Sequence, residues 1–247
     1  MHNVGIIIQA RMGSTRLPEK VLMDLGGIPL LEFLIKRLED VDGNIDLIVA
    51  TTADKEDEKI VELCDSINIP FYCGSKENVL ERYIGCARKF DIDVIVRVCA
   101  DCPFIDPEGI NELIVTYKKN PMADLVHNKH KNGYPFGTGA ELVTLNVLRI
   151  AGKNADKKHQ KEHVVPYILE NADKFTVIKV NAPKYIRRPD YYLTVDYPED
   201  LKLIREICGK IDGDNKEKTP LRRIIKLLDK NPHIVNINSH LHDGFKE

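Results

Sequence analysis

The chain has 247 residues, 43% hydrophobic and 30% charged, enough apolar material for a sizeable core in one large α/β domain or two small ones. Thirty-six basic residues against 38 acidic leave a net charge of −2, so no global field holds a polyanion, which argues against nucleic acid or an acidic membrane surface as the main partner. No apolar run approaches the ~20 residues of a bilayer span. The start, MHNVGIIIQARMG, lacks the basic lead of an export signal, so the expectation is a cytoplasmic protein whose six cysteines are free thiols.

Taken in chain order, apolar runs at Val4–Ile8, Ile45–Ala50, Ile69–Tyr72 and Val94–Val98 read as strands. Between them Leu30–Leu38, Glu56–Ile67 and Val79–Phe90 carry helical periodicity. Strands without polar alternation, separated by helices, predict a doubly wound, mostly parallel α/β sheet covered on both faces. Ligands of such sheets sit at the carboxyl ends of the strands. Beyond Val98 the spacing predicts a helix over Asp106–Lys119, a strand at Leu125–His127 and a Gly/Pro-punctuated extended arm over Tyr134–Thr144. Helices at Leu145–Ala151 and Gln160–Asn171 follow, then strands at Phe175–Val180 and Tyr192–Val195. Two last helices, Pro198–Ile211 and Leu221–Leu228, flank the charged loop Gly209–Pro220, and His240-Leu241-His242 reads as a frayed tail. Residues 1–247 are read as a single domain, with residues 123–188 an elaboration on the core sheet.

The segment Gln9–Lys20, QARMGSTRLPEK, leaves the end of the first strand through a small-residue turn at Gly13-Ser14-Thr15 and carries three cations, Arg11, Arg16 and Lys20. Backbone N–H groups of such a turn favour anions, and guanidinium forks match phosphate oxygens. A nucleoside triphosphate carries roughly four negative charges, which three cations and one Mg²⁺ approximately neutralise. The segment is neither a Walker A loop nor a dinucleotide fingerprint, since the required glycines and Lys-Ser/Thr pair are absent. The alternative is a solvated basic loop.

Asp101 ends the strand VIVRVCAD, where a carboxylate is placed to hold Mg²⁺; the alternative is a loop carboxylate capping the chain before Pro103. Pro198 fits a first helical position, which makes Tyr197 the cap and leaves Asp196 one residue outside the helix, as a candidate second metal ligand. Arg97, in an otherwise apolar strand, either binds an anion at the strand mouth or pairs with a carboxylate inside. Cys99-Ala100-Asp101-Cys102 has CxxC spacing without a second ligand pair. His159 and His163 lie four apart on a presumed helix, in a pattern that does not match a zinc protease and reads as surface or core histidine.

QARMGSTRLPEK with the following LGGIPLLEFLIKRL resembles the nucleotide-binding signature of the cytidylyltransferases that make CMP-activated acidic sugars, the CMP-KDO and CMP-sialic acid synthetases, and most nearly the branch named for spore coat polysaccharide biosynthesis. GSKENVLERY, VRVCADCPFIDP, KEHVVPYI and LTVDYPEDLKLI extend the resemblance in order over nearly the whole chain. It implies Arg11, Ser14, Arg16 and Lys20 as phosphate ligands, with Gly13 in their turn, and Gln9 and Ala10 near base and ribose. It also implies Asp101 and Asp196 as Mg²⁺ ligands. The family pattern has glycine where Ala100 stands and threonine where Tyr197 stands. Asn78 and Arg82 are candidates to face nucleotide or acceptor, while Gly137 and Glu141 look like the family's acceptor-side loop. The implied reaction is CMP transfer from CTP to an acidic-sugar hydroxyl with loss of pyrophosphate, Lys20 and Arg16 stabilising the leaving group, in a homodimer; the extended Tyr134–Thr144 arm is a candidate to cross to the second subunit. The competing readings are a nucleotide-sugar-dependent glycosyltransferase, whose Asp-x-Asp motif has an echo at Asp91-Ile92-Asp93, and a nucleotide-binding accessory protein of a polysaccharide pathway.

Overall fold

Ile6, Ile7 and Ile8 are all buried, yet they point to opposite faces, as the twofold period of a strand requires. Ile6 and Ile8 join one apolar cluster and Ile7 a second, so the first strand is covered on both sides. The computed structural model describes residues 2–242. Its elements in order are β1 (Val4–Gln9), β2 (Asp24–Leu25), β3 (Ile28–Pro29), α1 (Leu30–Leu38), β4 (Asp46–Thr52), α2 (Glu58–Ser66) and β5 (Phe71–Gly74). Then come α3 (Val79–Lys89), β6 (Val94–Cys99), α4 (Pro107–Lys119), β7 (Leu125–His127), β8 (Glu141–Thr144), α5 (Leu145–Asn154), α6 (Lys158–His163) and α7 (Pro166–Glu170). β9 (Val177–Lys179), α8 (Pro198–Gly209), α9 (Leu221–Lys230) and α10 (Pro232–Val235) complete the fold.

The main sheet has seven strands in the order β5-β4-β1-β6-β8-β7-β9, and β8 alone among them runs antiparallel to its neighbours. One face is covered by apolar residues of α1, α2 and α4, the other by α3, α5 and α7. A third cluster packs α8 and α9 against Leu25, Phe33 and Phe104. The mostly parallel doubly wound sheet expected from the apolar runs is therefore present. Among the described residues no helix is long and apolar enough to cross a membrane.

Four expectations are corrected. The Tyr134–Thr144 arm folds into its own sheet: Glu141–Thr144 become β8, paired with β6 and β7, and Tyr134 is buried. The helix expected over Gln160–Asn171 is broken in two at Val164, which adopts φ 72° and ψ −57°. Val165 N–H donates to the His163 carbonyl at 2.9 Å, closing a three-residue turn of the rarer hand before Pro166. Tyr192–Val195 is extended but makes only an isolated bridge, Tyr192 to Phe136. The tail is anchored: His242 is buried, stacks on Tyr192 at 4.1 Å and lies 3.0 Å from Asp200.

Candidate active site

Two cavities open at the carboxyl ends of β1 and β6 and share Arg97, Cys99 and Asp101. The first, about 350 Å³, is lined by Gln9, Ala10, Arg11, Gly13, Ser14 and Arg16 of the signature turn, and by Lys20, Arg82, Asp101 and Asp196. Five cationic and three acidic side chains line it. The second, about 290 Å³, is walled by Lys129, His130, Phe136, Gly137 and Glu141. The signature segment and the two distant aspartates thus share one crevice at the switch between outward-running strands, where such sheets take their ligands.

The signature turn is held by a residue that carries no motif. Asp57, at the entrance to α2 and buried, accepts from Met12 N–H at 2.6 Å through Oδ1 and from the Thr52 hydroxyl through Oδ2. Ser14 N–H and Glu19 N–H both donate to the Met12 carbonyl, so the turn doubles back on Met12. Glu19 takes φ 58° to make the bend that delivers Lys20 inward.

Lys20 is buried and its ammonium makes three contacts of 2.8 Å, to Asp101 Oδ2, Asp196 Oδ1 and the Val195 carbonyl. Burial opposes its charge, but the two carboxylates outweigh that and hold its pKa above the ordinary lysine value. Arg16 Nη2 also meets Asp196 Oδ1 at 2.8 Å, and its guanidinium lies 5.1 Å from the centre of the Tyr197 ring. The Tyr197 ring is thus a platform for Arg16. The two aspartates are fixed by backbone. Val195 N–H and the Thr194 hydroxyl donate to the Asp101 carbonyl at 2.8 and 3.2 Å, and Asp200 Oδ2 accepts the N–H groups of Asp196 and Tyr197. Tyr197 is the cap of α8 with Pro198 at its first turn, which leaves Asp196 outside the helix as the spacing implied.

Arg97 resolves as the internal pair. Its Nη1 donates to both oxygens of Glu141 at 3.1 Å and its Nη2 to Gln9 Oε1 at 3.0 Å. Burial pushes the Glu141 carboxyl up, but Lys129 and Arg97 overcome it and hold it at about 2. Gly137 has φ 84°, and a Cβ there would stand 2.7 Å from Thr194 N, so its loop packs directly on the Asp196 segment.

Four more of the residues singled out in the sequence can now be placed. Asn78 does not line either cavity; its side chain accepts from Glu81 N–H at 3.1 Å and caps α3. Arg82, a candidate to face nucleotide or acceptor, lies in the first cavity, where its Nη1 donates to the Ser75 carbonyl at 2.8 Å. Among the described residues its Nε and that of Arg97 are buried without an acceptor. Lys20 and Arg16, expected on phosphate, are engaged by Asp101 and Asp196 in this state. Sequence reading missed His163, Glu162, Lys129, His130 and Thr194 as lining residues. His163 was read as bland because helical spacing says nothing of the turn at Val164, which re-aims the segment. Asp91 and Asp93, the Asp-x-Asp echo, lie before the amino end of β6, opposite the cavities, and Asp93 accepts from Asn3 N–H.

A family model described as cytidylyltransferase matches residues 5–224. The spore coat polysaccharide biosynthesis protein SpsF of Bacillus subtilis is 33% identical over 94% of this chain and 96% of its own length. The solved cytidylyltransferase of Leptospira borgpetersenii superposes with a TM-score of 0.89 at 29% identity, covering 95% of this chain and 97% of that one. A CMP:2-keto-3-deoxy-manno-octonic acid synthetase solved with CTP shares the fold, with a TM-score of 0.64 at 19% identity over 84% of this chain and 99% of that one. By sequence over most of its length and by fold, this chain belongs to the cytidylyltransferase family.

Proposed function

We propose that the protein transfers CMP from CTP to the hydroxyl of an acidic sugar of the nonulosonate or KDO type, releasing pyrophosphate, in the synthesis of a surface polysaccharide. The observation that carries this reading is the convergence of Lys20, Asp101 and Asp196 at 2.8 Å in the first cavity, whose Asp101 also lines the second. In the first cavity CTP lies with its phosphates against Gly13, Ser14, Arg11 and Arg16 and its base toward Gln9 and Ala10. The orphaned Nε donors of Arg82 and Arg97 are further partners for a polar ligand there.

The second cavity receives the acceptor. Lys129, ion-paired with the almost wholly hidden Glu141, keeps 35% of its side chain exposed and is the group in that cavity placed to meet an acceptor carboxylate. Phe136, with His130 at 5.3 Å, supplies a flat apolar wall for a sugar ring. The acceptor hydroxyl forms a bond to the α-phosphorus while the bond from that phosphorus to the pyrophosphate oxygen breaks; pyrophosphate leaves and the hydroxyl proton passes to solvent. The residues here orient the two reactants and balance charge, which suffices for a transfer that needs little covalent help from the protein.

A divalent cation fits these residues. Asp101 and Asp196 already share one cation, and Mg²⁺ is ordinarily held by one or two carboxylates together with substrate phosphates and water. Among the described residues no group of three or more His, Cys, Asp or Glu side chains gathers to hold a metal by itself, so phosphates complete the set. Bound there, Mg²⁺ would supply charge neutralisation on the triphosphate. The test is pyrophosphate release from CTP, GTP, UTP and ATP across a panel of acidic sugars, neutral sugar phosphates and polyols. CTP with an acidic sugar should turn over. Release with another nucleotide or only with a neutral acceptor would refute the assignment.

A further inference from the structure

Lys20 occupies the place where a cation between Asp101 and Asp196 belongs. Its ammonium has three protons, and three oxygens at 2.8 Å take them: one from each carboxylate and the Val195 carbonyl. Nothing remains on it for a phosphate. Resting on the metal reading above, we propose that Lys20 is a resident counter-ion. It holds the carboxylates together in the free protein and excludes a divalent cation until an arriving triphosphate draws the ammonium away.

The residues around it give the exchange a physical basis. The backbones of the two aspartates are fixed without Lys20, since Asp101 is tied through its carbonyl to Thr194 and Val195, and Asp196 through its N–H to Asp200. Withdrawal of the ammonium therefore leaves two carboxylates facing one gap, an arrangement that is costly unless a cation replaces it. Arg16 does not fill that gap, because it reaches only Asp196 and 46% of its side chain is exposed. The anion-favouring turn at Gly13–Ser14 lines the same cavity as Lys20, so a bound triphosphate offers the ammonium new oxygen partners. Without nucleotide the metal competes with a built-in cation. With nucleotide the two arrive together, and each raises the affinity for the other.

The experiment measures Mn²⁺ alone, by the loss of its free-ion EPR signal, with the full chain and no nucleotide. Wild type, Lys20→Met and Lys20→Gln are compared, each with and without Asp101→Asn. The glutamine variant removes the charge but keeps a hydrogen-bond donor between the carboxylates, which guards against a methionine variant that fails to fold. Both lysine variants should bind Mn²⁺ at least tenfold more tightly than wild type, and Asp101→Asn should erase the gain. Their melting temperatures should also rise with Mn²⁺ more than that of wild type. Equal affinity in wild type and variants would overturn the counter-ion role while leaving the metal site standing. Absence of Mn²⁺ binding in every protein, with CTP present as well, would remove the metal reading and this proposal with it. In ¹⁵N-lysine-labelled wild type, the Lys20 ammonium should give a solvent-protected signal that is lost on adding Mg²⁺ with CTP. Its persistence at saturation would also overturn the proposal.

Discussion

Asp57→Ala should separate the anchoring of the signature turn from the turn's own chemistry. The carboxylate is buried, and it accepts from Met12 N–H and the Thr52 hydroxyl. Both donors belong to buried residues, so water does not readily replace the lost acceptor. Leaving a buried donor unsatisfied costs about 1–3 kcal/mol, and two of them give about 2–6 kcal/mol, a large part of the roughly 5–15 kcal/mol by which a domain is stable. Asp57→Asn keeps the shape and one acceptor oxygen and should lose about half as much. Urea unfolding measures the stability term, and initial rates of pyrophosphate release measure function in whichever variant stays folded. Because Met12 carries the turn, KM for CTP should rise well above wild type while KM for the acceptor changes little. An alanine variant with unchanged unfolding midpoint and unchanged KM for CTP would refute the claim that Asp57 holds the turn.

Other outcomes follow from buried charge and close packing. Glu141→Gln leaves the Arg97 guanidinium without its carboxylate, and breaking one side of a buried pair costs about 3–5 kcal/mol, readable in urea unfolding. Because the Glu141 carboxyl is held at about 2 against an ordinary 4.5, its contribution is present above pH 4.5 and is lost as pH falls toward 2; acid unfolding of the glutamine variant should lack that part. Asp106 behaves oppositely: burial raises its carboxyl to about 6 from 3.8, with Arg37 pulling the other way, so its contribution favours the fold below pH 4 and fades as pH rises through 6. Melting temperatures of Asp106→Asn should therefore decline less between pH 4 and 7 than those of wild type. A Cβ at position 139 would stand 2.2 Å from the Asn128 carbonyl oxygen, so Gly139→Ala must shift backbone beside the second cavity. That should cost about 1–3 kcal/mol in thermal unfolding and raise KM for the acceptor more than for CTP.

Much of this arrangement was legible in the residues. The apolar runs of β1, β4, β5 and β6 are continuous because both faces are covered, and that alone identifies a parallel sheet. The signature turn and Asp101 could be placed because each directly follows one of those strands, and Asp196 because Pro198 fixes where α8 begins. The hidden parts depend on tertiary context. Asp57 sits in an ordinary acidic stretch, KEDE, and only folding shows which of those carboxylates turns inward. β8 runs antiparallel between β6 and β7, a placement that a short Gly/Pro-punctuated segment does not specify. The break at Val164 carries no glycine to announce it, so a helical period was read straight through. The capping role of Asn78 lay within reach: Asn followed three residues later by Glu81 at a helix start is a capping pattern.

The most direct test is a crystal structure of the protein with Mg²⁺ and a non-hydrolysable CTP analogue. The triphosphate should lie against the Gly13–Arg16 turn, cytosine beside Gln9 and Ala10, and the cation between Asp101 and Asp196 with Lys20 turned onto phosphate. A nucleotide bound elsewhere, or one whose α-phosphate lies far from Asp101 and from the second cavity, would contradict this placement.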